Sequence, residues 1–325
     1  MERNAIVFAA KKKVELQSQQ IPECDFSPDA IGGRTLYTLV SAGTEINACY
    51  LDVLNWGLPR GGGYAAVFEV EYVGSNVTGF QVGDIVFTAG MHLSYTICHH
   101  RCAVKVPGNV LPQEALFVRI AGISMATLSR TQVHPGNRVM VTGLGAVGLM
   151  AMQAYQNSGY TVIGVDPAPG RCEAARQLGL AHVFTDCPFD DPQYDKNIGL
   201  ALECSGNEQA VLNCCAMVRK EGEISLIGVP WKPSTTKTVF ELLNPLFYQY
   251  AHLYSGWELN LPEVPGEFSH DSQYGNFALA MDWMAAGRLK ADGLYEIRPA
   301  AQAQQVYDDI YLKKFNKLTA IFDWQ

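Results

Sequence analysis

A glycine-rich turn after an apolar strand is the feature of this sequence best suited to binding a cofactor. The predicted strand Arg138–Thr142 runs directly into a G-x-G-x-x-G motif, and a helical segment begins within it. The motif residues are Gly143, Gly145, Ala146, Val147 and Gly148. In dinucleotide-binding proteins the first glycine permits the tight turn, the second admits the pyrophosphate, and the third lets the helix pack on the strand. The N-terminus of such a helix attracts the phosphates.

A carboxylate follows the second strand of the same region. The segment Thr161–Asp166 is predicted to be that strand, and Asp166 lies roughly 20 residues after Gly148, where an acidic side chain binds the adenosine ribose. Its charge would repel a 2′-phosphate, whereas Arg171 would attract one. The sequence therefore predicts NAD, with NADP left open. The alternative is that the glycines are ordinary turn residues and Asp166 only caps the helix that begins near Pro169.

Small residues end the later predicted strands of this region. We expect them at the carboxyl edge of a parallel sheet, where ligands bind in such folds. These residues are Cys204, Ser205, Gly206, Gly228 and Val229. Their size leaves room for the nicotinamide half of a dinucleotide, and an ordinary turn is the alternative interpretation at each position.

The segment Cys98-His99-His100-Arg101-Cys102 contains a second group of potential ligands. Thiolates and imidazoles at short spacing bind metals well. However, the flanking segments Tyr95–Ile97 and Ala103–Val106 have strand character, so we predict that they pair as a hairpin with a polar tip. No metal site is predicted here.

The composition excludes several classes of protein. The 325 residues carry 24 basic and 32 acidic side chains, a net charge of −8, and no basic run longer than Lys11–Lys13, so nucleic acid is not an expected partner. The apolar stretch Ala5–Ala10 is too short for a secretion signal, and no apolar run is long enough to span a membrane. The nine cysteines are scattered. We therefore expect a cytoplasmic globular protein with reduced thiols and no membrane partner.

The organisation of the chain changes along its length. The first part has short strand-like segments separated by Gly, Pro and Asn. From about Gly136, the chain repeats the order of a strand, a glycine turn and a helix. This repeat predicts a parallel, doubly wound sheet. After Trp257 the pattern loosens, and the closing segments are expected to rejoin the N-terminal part. We predict a β-rich domain from residues 1–117 and 259–325 and a dinucleotide-binding domain from residues 118–258.

This order of parts resembles the medium-chain dehydrogenase/reductase superfamily. Residues 73–86, VGSNVTGFQVGDIV, are similar to its V-G-x-x-V-x-x-F-x-x-G-D-x-V segment, and Ser41–Glu45 is a degenerate form of its Cys-Gly-Thr-Asp segment. The likeness continues to Gly287-Arg288-Leu289. The resemblance implies an α/β fold with a β-rich GroES-like catalytic domain and a Rossmann domain built on a doubly wound parallel sheet.

The sequence departs from the zinc-dependent members of that superfamily at the ligand positions. Ala42 stands where they have a cysteine, Gly63-Tyr64-Ala65 replaces their Gly-His-Glu, and no Cys, His or Glu occurs between Ala115 and Met125. Catalytic zinc needs three such ligands, so no zinc is expected. The Ser-x-Gly-Thr-Glu and Gly-Tyr-x-x-Val variants, together with the segment Leu289–Trp324, resemble a zinc-lacking branch that includes bacteriochlorophyllide a dehydrogenase.

Without a metal, side chains must supply a proton or hydrogen bonds to the charge that develops on a substrate oxygen. Thr44 matches the hydroxyl that relays protons in zinc-dependent relatives, and Tyr64 stands where a metal-binding histidine would be. His92 lies in a predicted loop and carries an imidazole suited to proton transfer. The alternatives are a turn hydroxyl, an aromatic packing contact and an exposed loop residue, respectively. Arg119 is a further candidate for substrate or cofactor contact, and Glu45 is expected to hold backbone or an arginine.

The sequence thus predicts an enzyme, a zinc-independent oxidoreductase that transfers a hydride between NAD(P)(H) and a secondary alcohol or ketone. Two alternatives stay open: the reduction of a quinone or an activated carbon–carbon double bond, and a nucleotide-binding sensor without turnover. The expected partner is a small-molecule substrate. The resemblance also implies a homodimer, formed through edge strands of the nucleotide domains.

Overall fold

The computed structural model describes residues 1–269 and 271–325 and divides into two compact units. The first unit comprises residues 1–119, 277–285 and 290–325, and the second comprises residues 120–276 and 286–289. The chain first passes from the first unit to the second after Arg119, whereas the sequence predicts this limit at residue 117. The chain returns to the first unit at Phe277, later than the expected residue 259. Backbone hydrogen bonds from Gln273 and Tyr274 to residues 262 and 263 close the loose stretch on itself.

Strands predominate in the first unit and alternate with helices in the second. In chain order the strands of the described residues are β1 (Glu2–Ala10), β2 (Lys13–Gln20), β3 (Ala30–Leu39), β4 (Arg60–Gly61), β5 (Ala65–Val73), β6 (Ile85–Thr88), β7 (Tyr95–His99), β8 (Val104–Lys105), β9 (Arg138–Thr142), β10 (Thr161–Val165), β11 (Val183–Phe184), β12 (Ile198–Glu203), β13 (Val218–Leu226), β14 (His252–Ser255), β15 (Tyr295–Pro299) and β16 (Thr319–Asp323). The α-helices are α1 (Ala42–Thr44), α2 (Pro112–Ala115), α3 (Phe117–Met125), α4 (Ala146–Asn157), α5 (Pro169–Gln177), α6 (Glu208–Met217), α7 (Val239–Gln249), α8 (Gln273–Ala285) and α9 (Ala303–Tyr311). A π-helical turn covers Glu45–Tyr50. No helix in the described part of the chain combines the length and the hydrophobicity that a membrane crossing requires.

The first unit is built on two sheets. The larger has the order β15-β16-β3-β5-β6-β8, with β7 paired to β3, and the smaller has the order β2-β1-β4. Ile31, Phe68, Val70 and Val86 form a fully buried apolar cluster on the larger sheet. The last strand, β16, pairs antiparallel with β3, so the C-terminal tail rejoins the N-terminal part of the chain.

The predicted hairpin around residues 98–102 is wrong. β7 pairs with β3 and β8 pairs with β6, so the two segments belong to different strand pairs. The reason is that β3, besides pairing with β5, offers an edge at Ala30–Arg34 that β7 completes. A 3-10 turn at His100–Cys102 then carries the chain from one pair to the other.

The second unit contains a six-stranded parallel sheet with the order β11-β10-β9-β12-β13-β14. The first strand in sequence lies in the middle and the chain winds outward on both sides, which is the doubly wound Rossmann arrangement. β12 is buried at every residue, and β9 and β10 are buried at all but their first. Parallel strands covered by helices on both faces show this pattern.

Candidate functional site

The glycine turn joins β9 to α4. Gly143 has a φ of +83°, and a Cβ there would lie 2.7 Å from the Cβ of Ser205. A Cβ at Gly148 would overlap the carbonyl oxygen of Gly143, whereas a Cβ at Gly145 would meet nothing within 4 Å. Packing therefore requires glycine at positions 143 and 148, while Gly145 borders open space. This division matches the roles that the motif predicts.

The first turn of α4 is suited to an anion. Gly145 is its N-cap and provides no side-chain cap, and the first N–H groups of a helix lack acceptors within the helix. Gly145, Ala146 and Val147 are partly exposed between buried neighbours. Their N–H groups and the positive end of the helix dipole can therefore hold a pyrophosphate.

Asp166 follows β10 and is only 2% exposed. Its carboxylate accepts hydrogen bonds from the N–H groups of Leu144 at 2.8 Å and Ala168 at 2.9 Å, and from the Arg171 guanidinium at 3.2 Å. The carboxylate thus ties the glycine turn to the loop after β10. Arg171, with half of its side chain exposed, lies over the carboxylate predicted to bind ribose. A ribose that binds Asp166 would have to share the carboxylate with this guanidinium or displace it.

The loops after β12 and β13 pack backbone against backbone. A Cβ at Gly206 would overlap the carbonyl oxygen of Val229, and a Cβ at Gly228 would overlap the N–H of Gly206. The N–H of Cys204 donates to the carbonyl of Thr142 at 2.8 Å, next to the glycine turn. The structure therefore brings the predicted cofactor residues of three strand ends to one edge of the sheet.

Glu203 organises this edge but was not among the predicted site residues. It is fully buried, and its carboxylate accepts the N–H groups of Ser205 at 2.7 Å and Gly206 at 2.9 Å, as well as the Ser205 hydroxyl. Burial raises the pKa of the Glu203 carboxyl, while the hydrogen bonds from Ser205 act in the opposite direction. The sequence signal that could have identified it is an acidic residue ending an otherwise apolar strand.

Two of the three predicted proton donors are partly exposed in the first unit. Thr44 ends α1, directly before Glu45. Tyr64 directly precedes β5, and the guanidinium carbon of Arg119 lies 4.2 Å from the centroid of its ring, which is a cation–π distance. Arg119 is buried at this position. The structure therefore places a cation against the phenol of Tyr64.

The third predicted donor, His92, is completely buried, so the alternative of an exposed loop residue is wrong. Its Nδ1 lies 2.7 Å from the Thr38 hydroxyl oxygen, and its Nε2 lies 3.1 Å from a carboxylate oxygen of Glu45. Glu45 also accepts the N–H of Ser41 at 2.8 Å and the hydroxyl of Tyr307. Glu45 therefore holds backbone, as expected, together with a histidine instead of an arginine.

The residues at the ligand positions of zinc-dependent relatives do not fit a zinc ion. Ala42 and Tyr64 offer neither a thiolate nor an imidazole, and both ring nitrogens of His92 have hydrogen-bonding partners. Within residues 1–269 and 271–325, no group of three or more His, Cys, Asp or Glu side chains is arranged to hold a metal ion.

Comparison with known proteins identifies relatives that match part of the chain. The family described as zinc-binding dehydrogenase matches residues 146–267. Sorbitol dehydrogenase of Bacillus subtilis (strain 168) is 26% identical over 206 residues, which are 52% of this chain and 58% of that protein. Alcohol dehydrogenase 2 of Oryza sativa subsp. japonica is 33% identical over 156 residues, 44% of this chain and 41% of that protein. The chain thus matches less than two thirds of the length of either relative.

Solved structures resemble the whole chain. An oxidoreductase/dehydrogenase of unknown specificity from Escherichia coli has a TM-score of 0.81 at 17% identity, over 99% of both chains. Galactitol-1-phosphate dehydrogenase from Escherichia coli has the same TM-score at 15% identity, over 98% of this chain and 99% of that one. This likeness confirms the predicted fold class, a GroES-like β-rich unit with a Rossmann unit. The family match is confined to residues 146–267, and the likeness to the solved structures shows the fold.

Proposed function

We propose that the chain is an NAD(P)-dependent oxidoreductase that acts on a secondary alcohol or ketone. The observation that carries this proposal is the carboxyl edge of the parallel sheet, where the open space at Gly145, the first turn of α4 and the Asp166 carboxylate lie along one rim. We expect this rim to hold the pyrophosphate and the adenosine ribose. When bound, a pyridine nucleotide supplies or accepts the hydride.

In this proposal Thr44 and Tyr64 manage the accompanying proton. A hydroxyl both donates and accepts, so Thr44 can pass a proton to or from a substrate oxygen. The phenol of Tyr64 can donate to a developing oxyanion. The adjacent Arg119 guanidinium, 4.2 Å from the ring centroid, favours the negative charge that remains on the phenol oxygen after donation.

We also propose that the reaction proceeds without zinc, as the resemblance to the zinc-lacking branch implies. The support comes from Ala42 and Tyr64 at the ligand positions and from the hydrogen bonds that occupy His92. The name of the matched family does not oppose this, because the match covers residues 146–267 and neither Ala42 nor Tyr64.

We also propose that the protein is located in the cytoplasm. All nine cysteines are free thiols, the state expected in a reducing compartment.

Zinc independence is tested on the purified, active protein. We expect elemental analysis to find far less than one zinc per chain, and we expect prolonged incubation with a chelator to leave kcat unchanged, because the part of the chain that the structure describes has no donor set for catalytic zinc. A zinc-dependent alcohol dehydrogenase treated in parallel serves as the control and should lose activity. Stoichiometric zinc whose removal abolishes turnover would contradict the proposal.

Cofactor choice is tested at Asp166 and Arg171. Asp166→Asn should weaken NAD about tenfold or more and NADP less, because the lost charge interacts favourably with ribose hydroxyls and unfavourably with a 2′-phosphate. Arg171→Ala should instead raise the preference for NAD above that of the wild type, since the Arg171 guanidinium attracts the 2′-phosphate of NADP. Calorimetric titration of both coenzymes measures these changes. Equal losses for NAD and NADP in Asp166→Asn would count against the ribose role.

The reaction is tested by a nicotinamide-absorbance screen of secondary alcohols and polyols, ketones, quinones and enones with both coenzymes. On the best substrate, Thr44→Ala and Tyr64→Phe should each lower kcat about 10²-fold or more, because they remove proton transfer, and should leave coenzyme binding within about twofold. Turnover of quinones or enones alone would favour the alternative reductase function. Full activity in both variants would remove these residues from the chemistry.

We further propose that the chain forms a homodimer through its second unit. Helix α7 carries an outward stripe of apolar side chains, with Phe240 69%, Leu243 57% and Phe247 75% exposed. Together with Val239 and Tyr250 the exposed apolar area is on the order of 600 Å². One partner of a standard interface contributes roughly 800 Å². The stripe carries no charge, so a second copy meets it without repulsion, and β14, which follows α7, is the edge strand of the sheet.

The dimer is tested by replacing two aromatic residues of the stripe. We expect wild-type protein to have the mass of a dimer by light scattering, and the double variant Phe240→Ser, Phe247→Ser to have the mass of a monomer, because the apolar contact is lost. Phe268→Ser, at a 95% exposed phenylalanine outside α7, is the matched control and should remain dimeric. A monomeric wild-type protein would contradict the proposal.

A further inference from the structure

A chain of buried polar side chains runs through the β-rich first unit. The Trp324 indole N–H donates to the Thr38 hydroxyl oxygen at 2.9 Å, and this oxygen lies 2.7 Å from His92 Nδ1. His92 Nε2 lies 3.1 Å from the Glu45 carboxylate, which also accepts the Tyr307 hydroxyl. Thr38, His92 and Tyr307 are completely buried, and Glu45 is 3% exposed. The network therefore joins β3, the π-helical turn, the loop before β7, α9 and the C-terminal segment.

The donors in this network hold the Glu45 carboxylate in place. The Tyr307 hydroxyl and the Ser41 N–H both donate to its carboxylate. Burial, followed by the charge of Glu45, raises the pKa of the Tyr307 hydroxyl, so the phenol keeps its proton and remains a donor. A carboxylate that receives several hydrogen bonds is held in one orientation. Glu45 is thus a fixed acceptor.

Glu45 holds the segment that presents Thr44. One of its oxygens accepts the Ser41 N–H at 2.8 Å, so the side chain closes over the three-residue turn α1 that ends at Thr44. The side-chain amide of Asn47 donates to the Gly43 carbonyl at 2.8 Å and closes the same turn from the other side. The backbone turn that carries Thr44 is therefore held by the side chains of Glu45 and Asn47.

The same network fixes the segment that presents Tyr64. The backbone N–H of His92 donates to the Gly62 carbonyl at 2.8 Å, and a Cβ at Gly62 would lie 3.2 Å from a carboxylate oxygen of Glu45. Gly63 has a φ of +116°, and a Cβ there would overlap the backbone nitrogen of His92. The two glycines directly before Tyr64 are therefore packed against His92 and Glu45.

We propose that the Glu45–His92 pair is a positioning unit that fixes Thr44 and Tyr64 relative to each other. The Glu45 carboxylate accepts the Ser41 N–H before Thr44, and Gly62 and Gly63 before Tyr64 pack against this carboxylate and the His92 backbone. We therefore expect the loss of the Glu45–His92 contact to displace both hydroxyls. This proposal rests on the proposed function, in which these two hydroxyls manage the proton, and it moves His92 from the proton donors to the positioning residues. A misplacement of about 1 Å at a reacting group can lower the rate about 10²-fold.

Three variants test the pair. Glu45→Gln places an amide where donors point, and His92→Asn removes the ring contact. Tyr307→Phe removes only the hydroxyl and keeps the ring, whose centroid lies 4.8 Å from that of Phe8, so it is the mildest change. The matched control is Tyr311→Phe, on the same helix, whose hydroxyl contacts Lys12 outside the network.

The kinetic readout separates positioning from general damage. We expect the three variants to lower kcat about 10- to 100-fold with the KM of the coenzyme within about twofold, and Tyr311→Phe to match the wild type. Thr44→Ala should have a much smaller effect in the Glu45→Gln background than in the wild type, because the hydroxyl is already misplaced. Equal effects of Thr44→Ala in both backgrounds would overturn the proposal.

Amide hydrogen exchange supplies a readout that needs no turnover. We expect Tyr307→Phe and Glu45→Gln to speed exchange in both residues 41–50 and residues 60–66, with the second unit unchanged. Exchange that is unchanged in either segment of folded variants would overturn the positioning unit. Faster exchange in both segments, with no substrate turned over by the wild type, would uphold the positioning unit and overturn the proposed function.

Discussion

Helix α4 can begin where β9 ends only because Gly148 has no side chain. A Cβ at that position would overlap the carbonyl oxygen of Gly143, so any other residue would push the helix away from the strand. The close approach places the first turn of α4 at the carboxyl edge of the sheet, where a Cβ at Gly145 would meet nothing within 4 Å. The ability of the second unit to hold an anion follows from this single contact, because the positive end of a helix acts only over its first turn.

Buried carboxylates fix the points at which the chain leaves its strands. Asp166 accepts the N–H groups of Leu144 and Ala168, Glu203 accepts those of Ser205 and Gly206, and Glu45 accepts that of Ser41. A buried carboxylate is unfavourable unless hydrogen bonds compensate its lost hydration, and backbone N–H groups in loops need acceptors. Each carboxylate therefore meets both needs at once.

The second unit could be predicted well from the sequence because its signals are local. The strand Arg138–Thr142, the glycine motif and the helix that begins within it all lie in consecutive residues, and the structure has them at the expected positions. The burial of His92 could not be predicted, since its neighbours Thr38, Glu45 and Phe322 are distant in sequence. A polar residue between two strands has the same local pattern whether it faces solvent or a buried carboxylate. Only the pairing of strands across the sheet distinguishes the two cases.

Helix α7 shows a further reason why local patterns are incomplete. The sequence did not predict this helix, because Pro245 lies inside it and its apolar residues do not form one narrow stripe. Leu242 and Leu246 pack against the core of the second unit, while Phe240 and Phe247 point away from that core. A helix that is apolar on two sides can bury both of them only against two different surfaces. The core of the second unit covers the inner side, and the exposed outer side is the apolar surface on which the proposed homodimer rests.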